Sequence, residues 1–255
     1  MTRKISKDIK LGLRVKPIIE MLGVTVLVAL IIVIIDIICK LFPNYEVIKN
    51  SWILGSLVHI PQFLIPFLLI FYITKGKVQE YGFNLKEYPP IFTHRRMLKV
   101  GIFFGLLISL RHIPQILGNV PLDIPRPVTF INIVGNMTFQ WVIVGLCEET
   151  MFRGLIQTYL MNNLKGYIRI LGHDFHLGTV FGAIFWGGFH SINILVLPLD
   201  TVIFIIILTT AIGLLMGYAY QKTGSLLTTI IVHNTIFGVP LTIGYILYWL
   251  LCFPH

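Results

Sequence analysis

Glu148 and Glu149 stand side by side in the run Trp-Val-Ile-Val-Gly-Leu-Cys-Glu-Glu-Thr-Met-Phe-Arg-Gly, with Arg153 following within the same six residues. An ionisable side chain at the centre of a membrane helix costs about 2.5–3.5 kcal/mol on insertion scales, so three of them in apolar sequence are functional candidates. Two other apolar segments carry a histidine each: Phe-Trp-Gly-Gly-Phe-His-Ser-Ile-Asn ends on His190, Ser191, Ile192 and Asn193, and Thr-Thr-Ile-Ile-Val-His-Asn ends on His233 and Asn234. Carboxylates and imidazoles are the usual general acids and bases of hydrolysis.

On a helix Glu149 and Arg153 are four apart and face each other, whereas Glu148 points about 100° away. That leaves Glu148 free to act as a base. The bland reading is a trio of charges that only fixes helix packing. Trp186 shares a helix face with His190, one turn earlier, and Asn193 follows three residues after it. Gly187 and Gly188 offer close approach to a neighbouring helix. His233 falls about eight residues into its segment, with Asn234 beside it and Thr229 one turn before. The three motifs come to similar depth if the segments alternate in direction, which is the pattern of one shared intramembrane cavity in the cytosolic half.

The same groups suit a metal: Glu148, His190 and His233 could bind zinc or iron from three helices. No His-Glu-x-x-His motif is present, so no metal is favoured and no cofactor is expected, with zinc as the alternative. His173 and His176, in Gly-His-Asp-Phe-His, read as a solvated loop. Cys39, Cys147 and Cys252 form no Cys-x-x-Cys pair and imply neither a disulfide framework nor a thiolate site; Cys147 reads as a small packing residue.

The elements that carry these groups follow from composition. The chain has 255 residues, 56% hydrophobic and 12% charged, with a mean hydropathy of +0.84. A soluble domain carries about 25% charged residues. An all-α polytopic membrane protein of a single domain, residues 1–255, is expected, with about seven to eight transmembrane helices enclosing a cavity. Apolar runs sit near 18–39, 52–73, 100–118, 129–162, 177–197, 200–220 and 226–253. The fourth is too long for one simple span and continues as a cytosolic extension after Gly154. The last has a potential break at Gly238-Val239-Pro240. Pro61 and Pro66 should kink the second, since each removes a helical hydrogen bond. Continuous Ile/Leu/Val runs do not alternate as β-barrel strands do.

The net charge of +9 is a membrane signal, and no nucleic-acid partner is expected. Arg3, Lys4, Lys7, Lys10, Arg14 and Lys16 precede the first run; Lys75, Lys77, Lys86, Arg95, Arg96 and Lys99 lie between the second and third; Lys165 and Arg169 follow the fourth, and Lys222 the sixth. All fall on one side if the runs alternate. Only Lys40, Lys49 and Arg126 fall on the other. This positive-inside bias predicts a cytosolic N-terminus, in the cell membrane if the source is prokaryotic. The first run exceeds a signal-peptide core and lacks a cleavage pattern, so it reads as a transmembrane helix. Residues 74–99 read as a cytosolic loop and 119–127 as a structured external turn.

The order Glu-Glu-x-x-x-Arg, aromatic-x-x-x-His, then a further His resembles the CPBP family of intramembrane endopeptidases over roughly 130–238. These are CAAX-processing proteases of the Ras-converting type, with bacteriocin-processing and bacteriocin-immunity relatives. The resemblance implies that Glu148 and His190 activate water, that His233 helps stabilise the oxyanion, and that Glu149 and Arg153 complete the first motif. It implies a peptide or protein substrate, prenylated or membrane-associated, with lipid as the surrounding partner. Trp186 stands where the family usually has Phe. Phe237 stands where the third motif usually has Asn, so Asn234, Thr229 or a backbone group would have to supply that donor. The alternatives are a zinc-dependent version of the protease, a non-proteolytic immunity or scaffold relative, and an ion-coupled transporter, which the absence of an internal repeat disfavours.

Overall fold

The computed structural model describes residues 14–252 apart from residues 50, 119–123 and 126; the side chain of residue 252 is also outside it. Seven helical segments follow the seven apolar runs. They are α1 (Val15–Lys40), α2 (Trp52–Thr74), α3 (His94–Ile116), α4 (Phe130–Asn163), α5 (Leu177–Phe189), α6 (Leu199–Thr223) and α7 (Leu226–Cys252). Six of them, all but α5, are long and apolar enough to cross a membrane. At 1.5 Å per residue even the 23-residue α2 reaches across a hydrocarbon core of about 30 Å. The protein is an all-α, multi-pass integral membrane protein.

The fifth run differs from expectation. Its α-helix ends after 13 residues at Phe189, and a 3-10 turn, His190–Leu195, completes it. Gly187 and Gly188 behave differently from each other: a Cβ on Gly187 would lie 2.9 Å from the Ile206 carbonyl of α6, whereas one on Gly188 would meet nothing within 4 Å. Only the first is a close-approach site. The last run is not split. α7 runs unbroken through Pro240; the N–H that proline lacks is a single lost bond in a long helix. α2 likewise continues through Pro61 and Pro66.

α4 is one helix of 34 residues, as the long fourth run requires, but not a uniform one. Residues Phe139–Ile143 and Thr150–Gln157 are π-helical, with Val144–Glu149 α-helical between them. Wide turns of this kind are frequent at functional sites. A two-stranded antiparallel hairpin, β1 (Tyr167–Ile170) and β2 (His173–His176), follows α4. The histidines read as a loop are therefore in a strand. His176 Nδ1 accepts the Gly178 backbone N–H at 3.0 Å and caps α5; the cap needs the neutral ring, and burial of this membrane-flanking imidazole lowers its pKa accordingly.

Buried polar side chains lock the helices. Gln157 of α4 donates to Thr179 of α5 at 3.1 Å and to the Gly217 carbonyl of α6 at 2.8 Å. Thr158 meets Tyr220 at 2.7 Å. α3 lies against α7 through Gly101 and Gly105, where a Cβ would come within 2.6 and 2.8 Å of Thr235 and Val239. The outer faces of α1, α2 and α3 expose Leu22, Ile34, Leu68, Phe71, Phe103 and Leu106, which is what a lipid-facing surface requires.

The segment between α2 and α3 is docked rather than free. Asn84 donates to the Gly224 carbonyl at 2.7 Å, Ser225 donates to the Asn84 carbonyl at 2.6 Å, and the Leu226 N–H reaches the Gly82 carbonyl at 2.8 Å. α3 starts at His94, capped by Thr93, so the third span begins earlier than residue 100. Lys75, Arg95, Lys165 and Lys222 thus gather at one end of the bundle, with Lys40 and Lys49 at the other. Arg111, near the end of α3, joins the second group. Arg3, Lys4, Lys7, Lys10 and Arg126, and most of the 119–127 turn, lie outside the described residues.

Candidate functional site

Glu148 and Glu149 sit in the α-helical step between the two π segments of α4, and their side chains diverge. Glu149 Oε1 accepts from Arg153 Nη1 at 2.9 Å and meets His233 Nδ1 of α7 at 2.9 Å. Its side chain is 0% exposed, and Oε2 has no hydrogen-bond partner among the described residues. Arg153, also buried, lays its guanidinium 4.4 Å from the centre of the Trp186 ring. The opposite face of this system is Glu148. Its Oε2 accepts the Trp186 indole N–H at 2.7 Å, its Oε1 lies 3.3 Å from His59 Nε2, and His233 Nε2 stands 4.0 Å from Oε2. Its side chain is 14% exposed. Glu149 is sealed and committed; Glu148 is held yet reachable.

Trp186 is the hinge of the arrangement. Its ring contacts His190 and His233, both at 5.6 Å between centroids. His190 sits at the step from α5 into the 3-10 turn, and its Nδ1 lies 2.8 Å from the Trp186 carbonyl. A carbonyl only accepts, so Nδ1 carries the proton and a neutral His190 keeps its lone pair on Nε2. The ring is partly buried.

The remaining candidates lie near the cluster without entering it. Asn234 Oδ1 accepts the Gly145 backbone N–H at 2.8 Å, and its Nδ2 reaches the Val142 carbonyl at 3.4 Å. It pins α7 to α4 just where the first π segment ends. A Cβ on Gly145 would press against Asn234 Oδ1 and force that side chain to shift, so glycine is what lets this bond form as it stands. Thr229 donates to the Leu226 carbonyl at 3.1 Å. Asn193 closes the 3-10 turn through its carbonyl, which accepts from Val196 and Leu197, and its side chain makes no hydrogen bond to the cluster. Phe237 rests on His233 with ring centroids 5.3 Å apart. It also lines a cavity of about 660 Å³ whose wall includes Phe139, Gln140, Asn136, Lys49 and Arg111. Phe139 packs edge-on to His59 at 5.1 Å, so two phenyl rings stand between that cavity and the histidines. Its basic residues belong to the bundle end opposite the 75–93 segment.

His59 is the site residue that the sequence reading passed over. It is a lone histidine in an apolar run, as His190 and His233 are, but no motif marks it. Cys147, next to Glu148 in the sequence, is a buried free thiol. Among the described residues no three His, Cys, Asp or Glu side chains are grouped to hold a metal ion. His233 turns Nδ1 to Glu149, and His59 and His190 turn theirs to backbone carbonyls, so on each ring Nε2 is the nitrogen that remains on the side of the site.

Residues 130–237 match the family model described as type II CAAX prenyl endopeptidase Rce1-like. The match contains every motif residue named above and leaves out His59. No curated protein and no solved structure matches the chain.

Proposed function

We propose that this chain, Rce1-like over residues 130–237, is an intramembrane endopeptidase of the glutamate type, acting on prenylated CAAX-type proteins or other membrane-associated peptides. The observation that carries the reading is the contrast between the two carboxylates: Glu149 is closed off by Arg153 and His233, while Glu148 is oriented by Trp186 and remains partly open.

In this reading a water sits between Glu148 and Nε2 of His190. Glu148 takes one of its protons as the hydroxide oxygen bonds to the scissile carbonyl carbon. The negative charge that develops on the carbonyl oxygen faces His233, which Glu149 orients through Nδ1. The carbon–nitrogen bond then breaks as the leaving amine receives the proton from Glu148, and a carboxylic acid and an amine depart, the acid ionising once it reaches water. Arg153 acts at one remove, fixing Glu149 and stacking on the indole that holds Glu148. Asn234 serves as a helix pin, which leaves the oxyanion side with His233 and no amide donor. The phenyl ring of Phe237 at that position is the observation favouring the second reading, a non-proteolytic immunity or scaffold relative.

Purified protein in liposomes, offered a prenylated C-terminal peptide and an unprenylated control, tests both. Glu148→Ala and His190→Ala should each abolish cleavage while the protein remains folded. Parental rates in either variant would remove that residue from the mechanism, and no cleavage by the parent of any membrane peptide would favour the second reading. Loss of activity on chelation, restored by zinc, would move the mechanism to the metal-dependent alternative.

A further inference from the structure

His59 lies in α2, outside the family match, and nothing in the motifs assigns it a role. Its Nδ1 is 2.7 Å from the Gly55 carbonyl, four residues back on the same helix. A carbonyl oxygen cannot donate, so this nitrogen carries a proton. The other ring nitrogen, Nε2, lies 3.3 Å from Glu148 Oε1. A neutral His59 would then turn a bare lone pair toward a carboxylate oxygen, two acceptors facing each other. The contact is a hydrogen bond only if one further proton resides on Nε2 or on Glu148.

The charges around it point the same way. Glu148 and Glu149 carry two negative charges and Arg153 one positive, in a cluster where Arg153 is 2% and Glu149 0% exposed. An uncompensated charge in such surroundings is strongly unfavourable, and with Glu149 answered by Arg153 and His233 the charge on Glu148 falls to the groups that face it. The groups facing Glu148 are His59 from α2, the Trp186 indole and His190 from α5 and its turn, and His233 from α7, with Glu149, Arg153 and Cys147 on its own helix. His233 Nε2, at 4.0 Å, is beyond hydrogen-bond distance from Glu148. His190 has its Nδ1 on a carbonyl and makes no hydrogen bond to Glu148. Only His59 is close enough to share a proton with it. Phe139 edge-on and the side chain's 14% exposure keep the ring in place.

We propose that His59 is a positioning residue for Glu148: tied by Nδ1–H to its own helix, it holds one shared proton against Oε1 and fixes the carboxylate between itself and the Trp186 indole. The proposal rests on the protease reading only for its kinetic consequence; the shared proton itself does not.

Two measurements test it. In histidine-¹⁵N-labelled protein, the His59 resonances are identified by their loss in His59→Gln. The Nε2 signal should move on Glu148→Ala, while the Nδ1 signal stays that of a protonated nitrogen. An unmoved Nε2 signal would overturn the proposal whether or not the protein cleaves anything. In the cleavage assay, His59→Phe should lower kcat about tenfold to a hundredfold with KM little changed. His59→Gln, which can still donate to Glu148, should recover part of that loss. Parental kcat in His59→Phe, or equal losses in Phe and Gln variants, would also overturn it. If the parent shows no cleavage, the protease reading falls and the nitrogen signal alone decides the pair.

Discussion

Arg153 is the side chain whose removal should disturb the site most broadly, because it answers the charge of Glu149 and covers one face of Trp186. Breaking a buried ion pair by removing one partner costs about 3–5 kcal/mol, since the other charge is left unpaired. Glu149→Ala and Arg153→Ala should therefore each lower the midpoint of thermal unfolding in detergent strongly. The double variant should cost less than the sum, and simple additivity would count against the pairing. Phe237 supplies a second expectation. With Asn234 and Thr229 committed to backbone groups, Phe237→Asn would add an amide one turn from His233. Turnover should rise, by up to about the 10²-fold that one oxyanion donor is worth. Asn234→Ala should lower stability rather than single out the chemical step. A rate unchanged in Phe237→Asn, with Asn234→Ala inactive but stable, would return the oxyanion role to Asn234.

At the scale of elements, the critical joint is α4 against α7. The Gly145 N–H to Asn234 Oδ1 bond sits between the two π segments, three residues before Glu148. Gly145→Ala would force a Cβ against that oxygen. Overpacking of this kind costs about 1–3 kcal/mol, and here it would also displace the glutamates. Thermal unfolding and cleavage should both suffer, and Gly145→Ala combined with Asn234→Ala should recover part of the stability. No recovery would mean that the strain lies elsewhere along the joint. This level was half legible in the sequence. All seven apolar runs became helical segments because hydrophobic length needs no partner to be read. The Glu149–Arg153 pair was legible because it depends only on i,i+4 spacing. His59 was not, because its importance comes from which helix neighbours α4, and spacing within α2 carries no such information. The π turns, the hairpin holding His173 and His176, and the commitment of Asn234 to Gly145 likewise depend on contacts between segments far apart in the chain.

Over the whole molecule, basic side chains collect at the end of the bundle formed by the 75–93 segment, the hairpin and the α6–α7 turn. From the positive-inside bias we propose that this end is cytosolic. In a variant lacking Cys39, Cys147 and Cys252, a single cysteine at Lys86 should be protected from an impermeant thiol reagent in intact cells, and one at Phe42 should react. The reverse pattern would invert the orientation and put the Lys49 and Arg111 mouth of the cavity in the cytosol.

Trp186 gives the cluster an optical handle. Its indole is 1% exposed, donates its N–H to Glu148 and carries a guanidinium on its face, so its excited state sits in a strong, fixed local field. The chain has four tryptophans. Replacing Trp52, Trp141 and Trp249 by phenylalanine would leave one emitter in direct contact with the carboxylate proposed as the base. Its emission should be blue-shifted as for a ring shielded from water, and should change on Glu148→Gln. Arrival of a peptide could then be followed as a change of colour at the residue that grips the base, with no label attached and no turnover needed.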